Sequence, residues 1–168
     1  MPENAFDVAT DQLDRVLGFF DRVEAKASTI FAVDTGLLAL MALNTRPADL
    51  PVWYVTGPAL VALALILASI YSVYRSSFPA LNGGGGSLVY FREIAKRTEA
   101  RFIEEHLTQT EDQRVRDVLA QVWRNSEILT IKFDNVKRAF TFAALAIIPW
   151  TVFLVVTAVR NASAPVLG

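Results

Sequence analysis

The chain has 168 residues, of which 53% are hydrophobic, and its formal net charge at pH 7 is -1. Its mean hydropathy of +0.36 exceeds the range of ordinary soluble domains, and the near-zero charge argues against a nucleic-acid-binding protein. Because the sequence contains no cysteine, disulfides, thiol nucleophiles and thiolate metal sites are excluded.

Residues 1–43 predict a cytoplasmic amphipathic helix that starts near Thr10 and runs into a first transmembrane helix. Its apolar positions alternate by three and four residues, as in a helix packed against a partner. This seam consists of Leu13, Val16, Phe20, Val23, Ala27, Ile30, Asp34, Leu37 and Met41. Asp34 is the exception, because an ionisable residue at membrane depth is costly and marks a functional site or a polar helix contact.

Residues 52–75 predict the second transmembrane helix, because no charge occurs between Val52 and Tyr74 and aromatic residues lie at both ends. Residues 76–86, which include Pro79 and the run Gly83–Gly86, predict a flexible glycine-rich loop. Backbone amides of that run could bind a phosphate, but the lysine and preceding strand of a P-loop are missing, which favours a plain linker.

Residues 87–138 predict a cytoplasmic helical sensor region, in which Ser87 caps a helix over 88–107 and Thr110 forms a capping box with Gln113. The helix that follows should continue without a break into a third transmembrane helix over 139–160, leaving a tail at 161–168. Its predicted packing seam consists of Val115, Leu119, Val122, Ser126, Leu129, Phe133, Val136, Phe140, Ala143, Ile147 and Trp150.

The basic residues predict the orientation, since 11 of the 16 Lys and Arg residues lie between Arg75 and Arg138. By the positive-inside rule this segment is cytoplasmic, and three crossings then make the N-terminus cytoplasmic as well. The expected fold is an all-α, multi-pass membrane protein with three transmembrane helices and a cytoplasmic helical region. Its first and last helices are each expected to continue from the cytoplasm into the membrane.

Three segments together resemble the Pycsar transmembrane effector family, and the resemblance follows the same order along nearly the whole chain. The segments are Glu24–Asp34, Ser87–Ala95, and Gln121–Ser126 with Ile128 and Lys132. The resemblance implies a bacterial antiphage effector of the inner membrane. Such an effector senses a cyclic pyrimidine mononucleotide, cUMP or cCMP, and then impairs membrane integrity in abortive infection.

A non-enzymatic effector is therefore the first hypothesis, with membrane lipid and further copies of the chain as partners and with no cofactor. The alternative is a structural or scaffolding membrane protein that recruits a cytoplasmic partner through its helical region. A membrane enzyme ranks third, because no nucleophile and base pair emerges and no catalytic residue is assigned. His106, the single histidine, follows two glutamates, but a surface position at a helix end is favoured over a metal site.

A cyclic-nucleotide site needs aromatic faces for the base and cations for the phosphate. In the sensor region, Tyr90 and Trp123 could supply the aromatic faces and Arg92, Lys96 and Lys132 the cations, and Ser126 is a further candidate for a ligand contact. Each has a simpler explanation, since aromatic residues at helical spacing usually pack and surface charges are usually solvated. Ser126 could instead set the register of a helix pair.

The candidate polar seam of the membrane part consists of Asp34, Ser28 and Lys26. Asp34 could line a path for ions or water between helices, or could be a structural group that is hydrogen-bonded to Ser28 or to a neighbouring helix. Lys26 could extend its ammonium group to the lipid headgroups, or it could contact a ligand, as the resemblance suggests.

Overall fold

The computed structural model describes residues 4–78 and 84–163, and these residues form helices with no strand. The helices are α1 (Ala5–Asn44), a 3-10 helix (Pro47–Asp49), α2 (Trp53–Ser77), α3 (Phe91–Ile94), α4 (Glu99–Thr108) and α5 (Glu111–Ser163). Of these, α1, α2 and α5 are long and apolar enough to cross a membrane. The predicted all-α fold with three spans is therefore confirmed. Residues 79–83 of the predicted loop and 164–168 of the predicted tail lie outside the described residues.

The chain divides into two compact units. The polar unit contains Met1–Val23 and Pro79–Lys132, and the membrane unit contains Glu24–Phe78 and Phe133–Gly168. Neither α1 nor α5 is interrupted where one unit ends and the other begins. The prediction of two continuous helices is confirmed, including across Pro149, which α5 contains without a break.

The predicted seam of α1 is its buried face. Seven of its nine members are buried, with Phe20 and Leu37 half-buried. In the polar unit, Leu13 packs with Ala9 and Val118, and in the membrane unit Met41 packs in a cluster with Ala62 and Phe153. The three-four spacing on α1 therefore marked its packed side.

The predicted seam of α5 is confirmed only in part, because Val136 and Ala143 are buried whereas Leu119, Phe140 and Ile147 are exposed. The residues that α5 buries repeat with the same three-four spacing but are small or polar at many positions. They are Val118, Gln121, Ile128, Lys132, Asn135, Val136, Ala139, Ala143, Ala146, Phe153 and Thr157. In a membrane, lipid solvates large apolar side chains, so small and polar residues face other helices.

The single helix predicted over 88–107 is also wrong, because the structure has two short helices there, α3 and α4. The N-terminus of α4 is capped by Thr98, whose hydroxyl accepts a hydrogen bond from the amide of Arg101 at 3.4 Å. The predicted capping box before α5 is confirmed. The Thr110 amide donates to Gln113 Oε1 at 2.9 Å, and the Gln113 amide donates to Thr110 Oγ1 at 3.3 Å.

Candidate sensing site and membrane carboxylate

The chain segment that leads into α3 is held by buried polar side chains of the polar unit. Ser87 Oγ accepts from the amides of Val89 and Tyr90, both at 3.0 Å, and from Gln121 Nε2 at 3.2 Å. The amide of Leu88 donates to Asp117 Oδ2 at 2.8 Å. Ser87 and Gln121 are both buried, so this polar contact is shielded from water and fixes the segment against α5.

Arg97 also holds the chain segment that leads into α3. Its guanidinium donates to the carbonyls of Gly86 at 2.8 Å, Ser87 at 3.3 Å and Glu93 at 2.6 Å. Its Nε donates to Glu105 Oε2 at 2.7 Å, which ties α4 to the group. Hydrogen bonds from Arg101 and then Arg97 hold the pKa of Glu105 below its ordinary value of 4.5.

Two backbone amides at the described end of the glycine-rich turn are already hydrogen-bonded within the chain. The Gly86 amide donates to Glu93 Oε2 at 3.1 Å, and the Ser87 amide donates to the Gly84 carbonyl at 3.0 Å. Hydrogen bonds from Lys96 and then from the Gly86 amide lower the pKa of Glu93. The Glu93 carboxylate thus occupies the Gly86 amide, where a phosphate could otherwise bind, and this favours the linker interpretation.

Three of the predicted ligand residues lie on or beside α3. Tyr90 is half-buried, with its ring 5.1 Å from that of Phe91, and Gly84 leaves no room for a Cβ next to it. Arg92 is exposed, and Lys96 forms an exposed ion pair with Glu93. Tyr90 is thus the member of this group that touches the held segment directly.

The other three ligand candidates lie on α5 and do not share one face. Trp123 is 64% exposed, whereas Lys132 is 4% exposed with its Nζ 5.8 Å from the ring centroid of Phe20. Nine residues separate them, about 2.5 helical turns, so they point to opposite sides of the helix. Ser126 Oγ donates to the Val122 carbonyl of its own helix at 2.8 Å.

Asp34 lies inside the membrane unit, where three helices meet. It is fully buried, and its Oδ2 lies 2.6 Å from Ser69 Oγ on α2. The same hydroxyl lies 3.0 Å from the Ala139 carbonyl on α5. Among the described residues, no hydrogen-bond partner reaches the buried Asp34 Oδ1. The Ser69 hydroxyl therefore links Asp34 of α1 to the backbone of α5, and one oxygen of the carboxyl group has no partner among the described residues.

The three predicted members of the membrane polar seam are not brought together. Lys26 and Ser28 are exposed, whereas Asp34 is buried. Lys26 lines a groove between α1 and α5, with its Nζ 5.6 Å from the ring centroid of Phe133. Ser28 instead borders a separate cavity that Tyr74 of α2 also lines.

Sequence reasoning missed the partners Ser69 and Gln121. Ser69 is one of the few polar residues in a mainly apolar span, and a polar residue in such a segment usually faces another helix, which was the available signal. Gln121 lies within a segment that carries the family resemblance, as does its partner Ser87. The resemblance therefore includes two residues that the fold brings into contact.

An ion pair lies within the membrane unit, near the end of α5. Arg160 Nε lies 3.1 Å from Asp49 Oδ1, and its guanidinium donates to the Tyr54 hydroxyl at 2.9 Å. Asp49 is 5% exposed, so its charge is compensated by Arg160. This contact ties the end of α5 to the connection between α1 and α2.

The fold is that of a three-span α-helical membrane protein. Its three apolar helices of spanning length meet at a buried carboxyl group, and its second unit contains the short helices. The chain belongs to the Pycsar effector protein domain family, which matches residues 8–159. The family associates the chain with antiviral defence at a membrane. No match to a curated protein or to a solved structure was found.

Proposed function

We propose that this chain is a cyclic-nucleotide-responsive effector of bacterial antiphage defence that impairs inner-membrane integrity when activated. The observation that carries the proposal is the family match over residues 8–159, which reaches all three helices able to span a membrane. The proposed action is non-enzymatic and leads to abortive infection. The proposed orientation has the N-terminus and the polar unit in the cytoplasm, in agreement with the concentration of basic residues there.

The proposed activating ligand is a cyclic pyrimidine mononucleotide, cUMP or cCMP, bound by the polar unit. Exposed Trp123 and half-buried Tyr90 offer aromatic faces for the base, and Arg92 offers an unburied cation for the phosphate. Because Trp123 and Lys132 lie on opposite sides of α5, one ligand cannot contact both within one chain. A site that uses both would be completed by a second copy, which supports self-association as part of the proposal.

The proposed route from ligand to membrane is the unbroken backbone of α1 and α5. A ligand changes a protein only through different affinities for two states, so its site should lie where helices shift. Both helices pass from the polar unit into the membrane unit without interruption. A rotation or translation of either helix would therefore reach the level of Asp34.

Asp34 is the proposed point at which that movement opens the membrane part. A serine hydroxyl carries one proton, so Ser69 can donate either to Asp34 Oδ2 or to the Ala139 carbonyl. If Ser69 donates to Ala139, a protonated Asp34 would donate to Ser69 Oγ and so form the second hydrogen bond. With the carboxyl group enclosed, the described arrangement represents the closed state in this proposal. Separation of α5 from α1 and α2 would expose Asp34 and Ser69, and several copies would be needed to line a path for ions or water.

Binding is tested by thermal-shift and calorimetric titration of the detergent-solubilised full chain with cUMP, cCMP, cAMP and cGMP. We expect a response to one pyrimidine nucleotide that weakens in Trp123→Leu and Arg92→Gln. Arg116→Gln is the matched control, since Arg116 is an exposed α5 arginine paired with Asp112 within its own helix turn. No response to any of the four nucleotides would overturn the proposed ligand class and favour the scaffolding alternative.

Permeabilisation is tested by dye release from liposomes that contain the protein and the nucleotide that binds. We expect Asp34→Leu to fold and to bind nucleotide but to release much less dye, because the polar group of the opened state is lost. Leu67→Ile, an exposed apolar change on α2, is the control. Unchanged release by Asp34→Leu would refute the role of the carboxyl group and leave it a structural contact.

A further inference from the structure

An apolar groove with a volume of about 740 Å³ runs between α1 and α5 within the membrane unit. Ile30 and Val33 of α1 line one wall, and Phe140 and Ile147 of α5 line the other. Phe140 is 65% exposed and Ile147 is 50% exposed, so large apolar side chains border an open space and not a packed helix. The groove therefore lacks an occupant within the chain.

Two lysines lie toward one end of this groove. Lys26 and Lys137 line it together, and each stands just before the apolar stretch of its own helix. Within the part of the chain that the structure describes, neither ammonium group has an ion-pair partner. Two cations that have no carboxylate partner among the described residues, at the entrance to an apolar groove, call for an anionic group attached to an apolar body.

The length of the groove matches one leaflet of a bilayer. From Lys137 to Ile147 the helix rises about 15 Å, at 1.5 Å per residue. That distance is half of a hydrocarbon core of about 30 Å. An acyl chain that starts at the headgroup level beside the lysines would therefore run along the groove to the middle of the membrane.

We propose that this groove binds an anionic phospholipid, with an acyl chain along Phe140, Ala144 and Ile147 and the phosphate between Lys26 and Lys137. A second copy of the chain fits less well. Copies inserted in the same orientation carry the same two lysines at the same height, so they would add like charge where an anion is needed. The anionic lipid supplies the opposite charge and the apolar body in one molecule.

The test titrates the full chain, purified in detergent without nucleotide, with phosphatidylglycerol or phosphatidylcholine and counts retained lipids by native mass spectrometry. We expect one phosphatidylglycerol to be retained, and Lys26→Gln and Lys137→Gln each to weaken its binding about fivefold. Arg75→Gln is the matched control. Arg75 is exposed at the end of α2 and lies outside the groove, so its removal should leave binding unchanged.

A second pair of variants tests the apolar part. Ala144 is exposed and lines the groove, so Ala144→Phe should fill it and reduce lipid retention, whereas Ala64→Phe, exposed on α2 outside the groove, should not. The proposal would be overturned if both lipids bound equally and if neither the lysine substitutions nor Ala144→Phe changed that binding. Because the chain has no cysteine, Ala144→Cys also reports on a second copy. Efficient disulfide-linked dimers in membranes would assign the groove to that copy and refute lipid occupancy.

Discussion

Removal of the Ser69 hydroxyl group should destabilise the membrane unit measurably. Ser69→Ala leaves Asp34 Oδ2 without its 2.6 Å contact, while Oδ1 already has no partner among the described residues. An unsatisfied buried polar group costs about 1–3 kcal/mol. Because lipid-embedded helices find alternative contacts when unfolded, we expect the lower half of that range, about 1–2 kcal/mol.

The assay is equilibrium unfolding by sodium dodecyl sulfate in mixed micelles, followed by circular dichroism. Ser72→Ala is the matched control, since buried Ser72 Oγ donates to the Ala68 carbonyl of its own helix at 2.8 Å. We expect that control to change the free energy of unfolding by less than about 0.5 kcal/mol.

A double-mutant cycle with Asp34→Leu isolates the pair. Replacement of both partners by apolar groups removes the unsatisfied atom, so the double variant should be less destabilised than the sum of the single variants. The expected coupling energy is about 0.6–1.7 kcal/mol, as for other interhelical hydrogen bonds in membranes. Equal effects of Ser69→Ala and Ser72→Ala, together with zero coupling, would refute the assignment of Ser69 as the partner of Asp34.

Two further predictions concern the polar unit. Gly84→Ala should lower the stability of the polar unit by about 1–2 kcal/mol, because alanine resists a positive φ. Gly84 has a φ of +77°, and a Cβ added there would lie 2.7 Å from the Tyr90 ring. A Cβ added at the neighbouring Gly85 would have nothing within 4 Å. Chemical unfolding should show no comparable loss in Gly85→Ala, and equal losses would contradict the packing at Tyr90. Glu105, whose pKa is lowered, stabilises the fold above its unfolded pKa near 4.5 and loses that contribution as pH falls through the lower folded pKa. The melting temperature should therefore fall more in the wild type than in Glu105→Gln between pH 6 and pH 3.5, and parallel pH profiles would contradict this.

The helical architecture could be predicted from the sequence because each long helix carries its own signal. Uncharged stretches of spanning length, the three-four spacing on α1, and the capping box at Thr110 are local patterns that need no knowledge of neighbours. The helix predicted from 88 to 107 is replaced by α3 and α4, and the cause is not a local pattern. Arg97 and Asp117 supply side-chain partners to the backbone before α3, and such partners compete with a helical path.

The full buried face of α5 and the surroundings of Asp34 could not be predicted, and the reason is a different one. The seam through Phe140 and Ile147 followed the soluble-protein rule that large apolar residues face the core. In the membrane unit that rule holds only in part, because lipid also solvates large apolar side chains, and Ala139 and Ala146, both fully buried, lie on the packed side. The importance of Asp34 followed from its charge alone, but its partner depends on how α2 is rotated, which periodicity does not determine.

Because Asp34 lies deep in the membrane unit, the membrane voltage would act on a proton that moves to or from its carboxyl group. Asp34 lies eight residues beyond Lys26 along α1, about 12 Å at 1.5 Å per residue. A proton that moves between Asp34 and the Lys26 side therefore crosses about two-fifths of a core of about 30 Å. Because one elementary charge is worth about 2.3 kcal/mol per 100 mV across the whole membrane, this step is worth about 0.9 kcal/mol for each 100 mV. In the proposed open state, in which Asp34 is exposed, the membrane voltage would therefore bias the binding of a proton to this carboxyl group by that amount.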